Sequence, residues 1–246
     1  MLSTAPFECP PNLLVHAQQH PPLKTAVVNA TTLTVMTSAK LATEYNLIEP
    51  ILVGDSDTIN STAAAINWDI RAFTVIDAES DLKAAKLSVA LAHSDEVSAL
   101  MKGHIHSEIL MHEALQRKQG IRLKRRPSHA FYMTAPGHQS GICITDAVIN
   151  ILPRAKQKIE ITRNAIELMH ALGNTNPRVA LISGTEVPTP EMPSSMDAVR
   201  SLKKLKMGHY LEQKLLGQWL WTWQFLKRQR QLRVYITWLQ AKQIFY

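Results

Sequence analysis

Four stretches of the chain combine cationic, hydroxyl, imidazole or carboxylate side chains with neighbouring apolar runs. The first is Ala99-Leu-Met-Lys-Gly-His-Ile-His-Ser107, an apolar run entering a polar turn. Lys102 supplies a point charge there, and Gly103 lets the backbone approach a ligand closely. Ser107 is placed to cap a following helix, whose first amide groups favour an anion. An ordinary strand–turn–helix corner with a solvated lysine is the plainer alternative. His104, His106 and His112 raise the question of a metal, but no acid or cysteine completes a zinc-type spacing. No metal is expected.

The second stretch runs from Gly120 to His129. Arg122, Lys124, Arg125 and Arg126 concentrate positive charge just before an apolar run, which suits a phosphate-bearing ligand. A solvated basic turn accounts for them equally well. Ser128, His129 and Asp146 are the residue types of a hydrolase triad. No Gly-x-Ser-x-Gly elbow surrounds Ser128, however, and that chemistry is rejected. The third stretch, Ile144–Asn150, offers Thr145, Asp146 and Asn150 after an apolar run. The fourth, Ser183–Ala198, is an irregular proline-rich segment holding Glu186 and Ser194. Ser194 or Ser195 followed by Asp197 also reads simply as a helix start. The chain contains neither Gly-x-Gly-x-x-Gly nor Gly-x-x-x-x-Gly-Lys-Ser/Thr, so dinucleotide and P-loop readings lack support.

These groups need elements to hold them. Residues 1–22 are polar and proline-rich and read as an extended or loosely packed lead-in. Strands are expected at Thr25–Val28, Ile51–Val53, Ala72–Ile76, Val97–Met101, Ala130–Met133, Ile142–Ile144 and Val179–Ile182. Helical periodicity covers 35–46, 81–93, 107–118 and 155–172. The last places Ile159, Thr162, Ile166 and Met169 on one face and stops at Gly173. Such alternation predicts an α/β fold with mostly parallel sheets flanked by helices. Ligands in such sheets sit beyond the carboxyl ends of strands, where the four stretches fall.

With 246 residues, 46% of them apolar and 19% charged, the chain can bury a substantial core. No apolar run suggests a spanning helix, and no signal-peptide layout opens the chain, so a cytoplasmic protein without a membrane partner is expected. Cys9 and Cys143 make no disulfide framework. The net charge of +7 is unevenly placed. Residues 201–246 hold nine Lys/Arg and one acid, Glu212, leaving 18 bases and 19 acids before them. Trp219, Trp221, Trp223 and Trp238 lie in the same tail.

Taken in order, several segments resemble the phosphate acetyl/butyryltransferase family. They are Leu47-Ile-Glu-Pro-Ile-Leu-Val-Gly54, Ala99-Leu-Met-Lys-Gly-His-Ile-His106, Ser128-His-Ala-Phe131, Ile144-Thr-Asp-Ala-Val-Ile-Asn150, Asn164-Ala-Ile-Glu-Leu168 and Glu191-Met-Pro-Ser-Ser-Met-Asp-Ala198. The resemblance implies two α/β domains around a cleft, a homodimer, and acyl transfer between coenzyme A and phosphate without metal or redox cofactor. It implies residues 23–135 as the first domain and 136–200 as the start of the second. Substrate-binding candidates are then Lys102, Gly103, His104, Arg122, Arg125, Arg126, Ser128, Thr145, Asp146, Asn150, Glu186 and Ser194. Coenzyme A and acyl phosphate are polyanions, which suits Lys102 and the arginines.

The resemblance stops near residue 200. Family members continue with segments like Met-Ala-Met-Asp-Met-Ala-Ile-Ser and Val-Ala-Gly-Lys-Ala-Asp-Ile-Leu. Joining the third base of each codon to the first two of the next, Trp221–Thr222 must give aspartate and Trp223–Gln224 alanine. In that frame Gln218–Leu226 is compatible with the first octet and Trp238–Tyr246 with the second. Residues 201–246 therefore read as an out-of-frame tail. This explains its Trp/Lys/Arg content without nucleic-acid stacking or an interfacial helix, and no nucleic-acid partner is expected. The family's Ser-Arg…Asp catalytic segment finds no match here, so no catalytic residue is assigned and weak or absent turnover is expected.

Overall fold

The computed structural model describes residues 9–122, 124–134, 141–185 and 187–207. The chain divides into two units between Lys124 and Arg125. In the first, a short helix α1 (Pro11–Ala17) precedes strand β1 (Leu23–Val28). Then follow α2 (Leu33–Glu44), β2 (Ile48–Gly54), α3 (Ser56–Ala65), β3 (Thr74–Asp77), α4 (Asp81–His93), β4 (Ala99–Lys102) and α5 (Ser107–Ala114). The four strands form one parallel sheet in the order β3-β2-β1-β4.

Period-two alternation along β1 explains how the sheet acquires two cores. Ala26 and Val28 face a cluster with Ala84, Ala85 and Val89 of α4 and Leu110 of α5. Val27 faces the other way, against Met36 and Ala39 of α2 and Ile59 and Ala63 of α3. Helices thus cover both faces. Pro50, which has no N–H to donate, pairs with Thr25 of β1 one residue before the β2–β3 pairs begin at Ile51 and Thr74. The helix starts are locally encoded: the Asp55 carboxylate accepts from Thr58 N at 2.8 Å, and Ser80 Oγ from Lys83 N at 3.3 Å.

The second unit contains an antiparallel pair, β5 (Ala130–Met133) and β6 (Ile142–Thr145), with helices α6 (Ala155–Ala171) and α7 (Pro193–Met207). Gly173, at φ +85°, ends α6 in a Schellman turn. Its N–H bonds His170 O, and Asn174 N bonds Met169 O, both at 2.9 Å. Ile159, Thr162, Ile166 and Met169 are buried as the periodicity predicts, with Ile161 beside them. α7 runs across residue 200, and its buried Ser201 hydroxyl donates to Ala155 O at 3.3 Å. Residues 208–246, where most of the out-of-frame reading falls, lie outside the described residues.

Several expectations need correction. Residues 11–17 are helical rather than extended, because Pro11 opens the helix where its missing N–H costs nothing; α1 buries no residue. α3 escapes the sequence reading because its Ser, Thr and Asn content masks a narrow Ile59/Ala63 contact stripe. The helix expected over 107–118 ends at Ala114, where Ala114 O accepts from Ile121 N and turns the chain back. Val179 makes only a single bridge, and Ala180–Ile182 are irregular with Ile182 78% exposed, since no strand lies alongside among the described residues. The 130–133 strand, expected to close the first domain, belongs to the second unit, because its partner is β6. That pair is antiparallel, while the four-stranded sheet of the first unit is parallel as expected.

Candidate functional site

The strand order of the first unit reverses between β1 and β4. β2 and β3 build out on one side of β1, and the chain then crosses to lay β4 on the other. The crevice beyond the carboxyl ends of β1 and β4 is where such sheets bind ligands. The Lys102-Gly103-His104 turn stands there. A Cβ on Gly103 would lie 2.2 Å from Val28 O and 2.4 Å from Asn29 O, so only glycine allows the two turns to meet. Gly103 N donates to Val28 O at 2.8 Å and His104 N to Asn29 O at 3.2 Å. Burial lowers the Lys102 ammonium below the ordinary lysine value, opposed by the nearby Asp81 carboxylate. The helices leaving this edge, α2 and α5, start at Thr32 and His106 without a side-chain cap hydrogen bond. Ser107, expected as the cap of α5, is instead its first residue.

In the second unit the strand ends and α6 build a polar cluster. The Asp146 carboxylate accepts from His129 N at 3.0 Å, Asn150 N at 2.9 Å, Ile149 N at 3.3 Å and Val148 N at 3.4 Å, and from the Asn150 side-chain amide. Burial pushes the Asp146 carboxyl up, but the hydrogen bonds from Asn150, His129 and Ile149 outweigh it and hold it below the usual value. Thr145 Oγ1 donates to His129 O at 2.7 Å, closing the β5–β6 end. Asn150 Nδ2 donates to Pro127 O at 3.0 Å, and its Oδ1 accepts from the Arg126 guanidinium at 3.0 Å. Arg125 pairs with Glu167 at 2.6 Å, while Asn164 Nδ2 donates to both Arg126 O and Ser128 Oγ at 2.9 Å. Ser183 and Ser194 hydroxyls meet at 2.8 Å at the start of α7.

The candidate residues are shared between the two units. Lys102, Gly103, His104 and Arg122 belong to the first unit; Arg125, Arg126, Ser128, Thr145, Asp146, Asn150 and Ser194 belong to the second. Arg122 is exposed beside Glu108 and Arg117. The charge of Arg125 is balanced by Glu167, so the basic run is less free than its composition suggests. Glu186 lies outside the described residues. A triad is excluded by geometry as well: Asp146 holds the backbone of His129, and the buried His129 Nδ1 has no hydrogen-bond partner among the described residues. Among the described residues, no group of three His, Cys, Asp or Glu is placed to share a metal, and no helix is long and apolar enough to cross a membrane. Sequence reasoning passed over Asn29, Thr31 and Asp81 at the first cluster and gave Asn164 and Glu167 no role in the second. An Asn directly after the β1 run was the available signal, since Asn tolerates left-handed turns.

Comparison with known proteins bears on both units. The family model for phosphate acetyl/butaryl transferase matches residues 82–210. The phosphate acetyltransferase of Rickettsia typhi is 38% identical over 201 residues, covering 81% of this chain and 58% of the relative. The phosphate butyryltransferase of Clostridium acetobutylicum is 31% identical over 185 residues, covering 75% of this chain and 62% of the relative. The chain thus spans less than two thirds of the length of these relatives. Among solved structures, a phosphotransacetylase from Streptococcus pyogenes superposes with a TM-score of 0.67 at 19% identity, over 84% of this chain and 72% of that one. A branched-chain phosphotransacylase from Enterococcus faecalis gives 0.60 at 20% identity, over 85% and 74%. Sequence and fold agree: the chain belongs to the phosphate acetyl/butyryltransferase family.

Proposed function

We propose that this chain binds coenzyme A and acyl phosphate and retains, at most weakly, the reaction acyl-CoA + phosphate = acyl phosphate + CoA. The observation that carries the reading is the family match over residues 82–210, which includes Lys102, Asp146 and Ser194. The local chemistry supports it. Lys102 stands at the sheet's switch point beside two helix starts lacking side-chain caps, and a phosphate is favoured at such amide groups. Coenzyme A is a substrate here, and no metal or redox cofactor enters; the working form would be a cytoplasmic homodimer.

In the direction of thioester synthesis, a carboxylate takes the thiol proton of coenzyme A and the thiolate attacks the acyl phosphate carbonyl. The C–O bond to phosphate breaks and inorganic phosphate leaves. Preorganised donors are needed at the developing oxyanion, and losing one costs about 100- to 1,000-fold. No residue of this chain is assigned to that step. A second reading, ligand binding without turnover, agrees with no residue of this chain being assigned to that step. Release of free thiol from acetyl-CoA in the presence of phosphate, measured beside coenzyme A binding, separates them. Turnover with binding supports the acyltransferase; binding alone supports the second reading; neither overturns both.

A further inference from the structure

We propose that Asn29 and Asp81 are positioning residues for the Lys102-Gly103-His104 turn, holding it in the shape the first unit presents to an anionic ligand; this rests on the acyl-transfer reading above. Asn29 follows β1 at φ 55°, a left-handed conformation that Asn adopts more readily than most residues. From there its amide donates to Asp81 Oδ1 at 2.7 Å and to His104 O at 2.8 Å, and its Oδ1 accepts from Thr31 Oγ1 at 2.9 Å. One side chain thus ties together the turns that follow β1, β3 and β4.

The backbone repeats the connection. Asn29 O accepts from His104 N, so Asn29 grips the β4–α5 turn through both its main chain and its amide. Asp81 opens α4 directly after its Ser80 cap, which fixes where its carboxylate can reach. That carboxylate favours the charged form of Lys102, which burial opposes. With one oxygen engaged by Asn29, Asp81 is kept at the switch point instead of swinging into solvent. Neither residue supplies a group that acyl transfer consumes. Their contribution is to place Lys102, Gly103 and His104.

Three variants test this in the full chain. Asn29→Gly keeps the left-handed backbone and removes the side chain. Asn29→Asp keeps the bond from Thr31 but sets a carboxylate against Asp81 and His104 O. Asn29→Asp/Asp81→Asn leaves the local charge unchanged and restores one donor–acceptor pair with its direction reversed. The readouts are amide exchange at Gly103 and His104, calorimetric coenzyme A affinity, and melting temperature. In the two single variants, exchange at those amides should accelerate about tenfold, more than at Val27 or Met36 in the core, the effect expected for a lost hydrogen bond of ordinary strength. Coenzyme A affinity should fall about tenfold in Asn29→Asp, as one lost charge-assisted contact would give, and partly return in the double variant. Unchanged exchange in Asn29→Gly overturns the proposal. So does uniform acceleration across the first unit with affinity intact, which would mark Asn29 as a general stabiliser. If the wild-type chain binds no coenzyme A, the acyl-transfer reading fails separately. Exchange alone then decides the positioning role: local acceleration supports it and its absence overturns it.

Discussion

Replacing Gly103 by Ala should damage the first unit far more than one methyl group suggests. The added Cβ would sit 2.2 Å from Val28 O and 2.4 Å from Asn29 O, where 3.4 Å begins ordinary contact. Both obstacles are backbone atoms of the central strand and its turn, so no side chain can swing aside. The β4–α5 turn must retreat by on the order of 1 Å, enough to forfeit close packing and hydrogen-bond geometry. At stake are Gly103 N to Val28 O at 2.8 Å, His104 N to Asn29 O at 3.2 Å and the Asn29 amide to His104 O at 2.8 Å. At about 1 kcal/mol net each, their complete loss would cost about 3 kcal/mol. Overpacking strain adds about 1–3 kcal/mol, and outward movement of the exposed His104 relieves part of both. A net destabilisation of about 2–4 kcal/mol follows, against a typical total of about 5–15 kcal/mol. Urea unfolding followed by far-ultraviolet circular dichroism measures it, with exchange at Ala26–Val28 reporting the strand itself. A loss below about 0.5 kcal/mol, within the range of a neutral surface substitution, would refute the steric argument.

Gly173→Ala is the natural contrast: φ is +85° but nothing lies within 4 Å, so left-handed strain alone should cost about 1 kcal/mol in the same unfolding measurement. Asp146→Asn should loosen the 145–150 loop by about 1–3 kcal/mol, seen as faster exchange at His129 and Asn150, because a charged acceptor of several N–H groups becomes a neutral amide. The folded Asp146 carboxyl lies below its ordinary 3.8, so its stabilising contribution is complete above that value and is lost as pH falls through the folded value. Acid titration of loop protection should therefore be flatter in Asp146→Asn than in the wild type. Asp55→Ala removes the α3 cap and should cost about 0.5–2 kcal/mol by thermal unfolding.

Much of the first unit was legible because its signals are local. α4 occupies the 81–93 that its periodicity predicts, and β1 reads as an apolar run because parallel strands are buried on both faces. α3 was not legible, since only Ile59 and Ala63 are buried in a helix otherwise rich in Ser, Thr and Asn. Val179–Ile182 failed for the opposite reason. Its residues suit a strand, but a strand exists only where another lies beside it, and sequence propensity carries no knowledge of that neighbour. The site shows the same division. Lys102 and Gly103 were visible as types in a turn, whereas Asn29 and Asp81 joined them only through strand order, which no local pattern states. Arg125 was visible as charge, but its pairing with Glu167 depends on where α6 packs.

Calorimetric titration of coenzyme A into the wild-type chain and into Lys102→Gln, at low and at moderate salt, tests the central claim most directly. The account predicts saturable binding to the wild type that weakens as salt rises, as expected for a polyanion held by charge. In Lys102→Gln, with one charged contact gone, affinity should fall about tenfold and the salt dependence should shrink. Absence of binding to the wild type, or equal affinity of both proteins for coenzyme A at either salt, would contradict it.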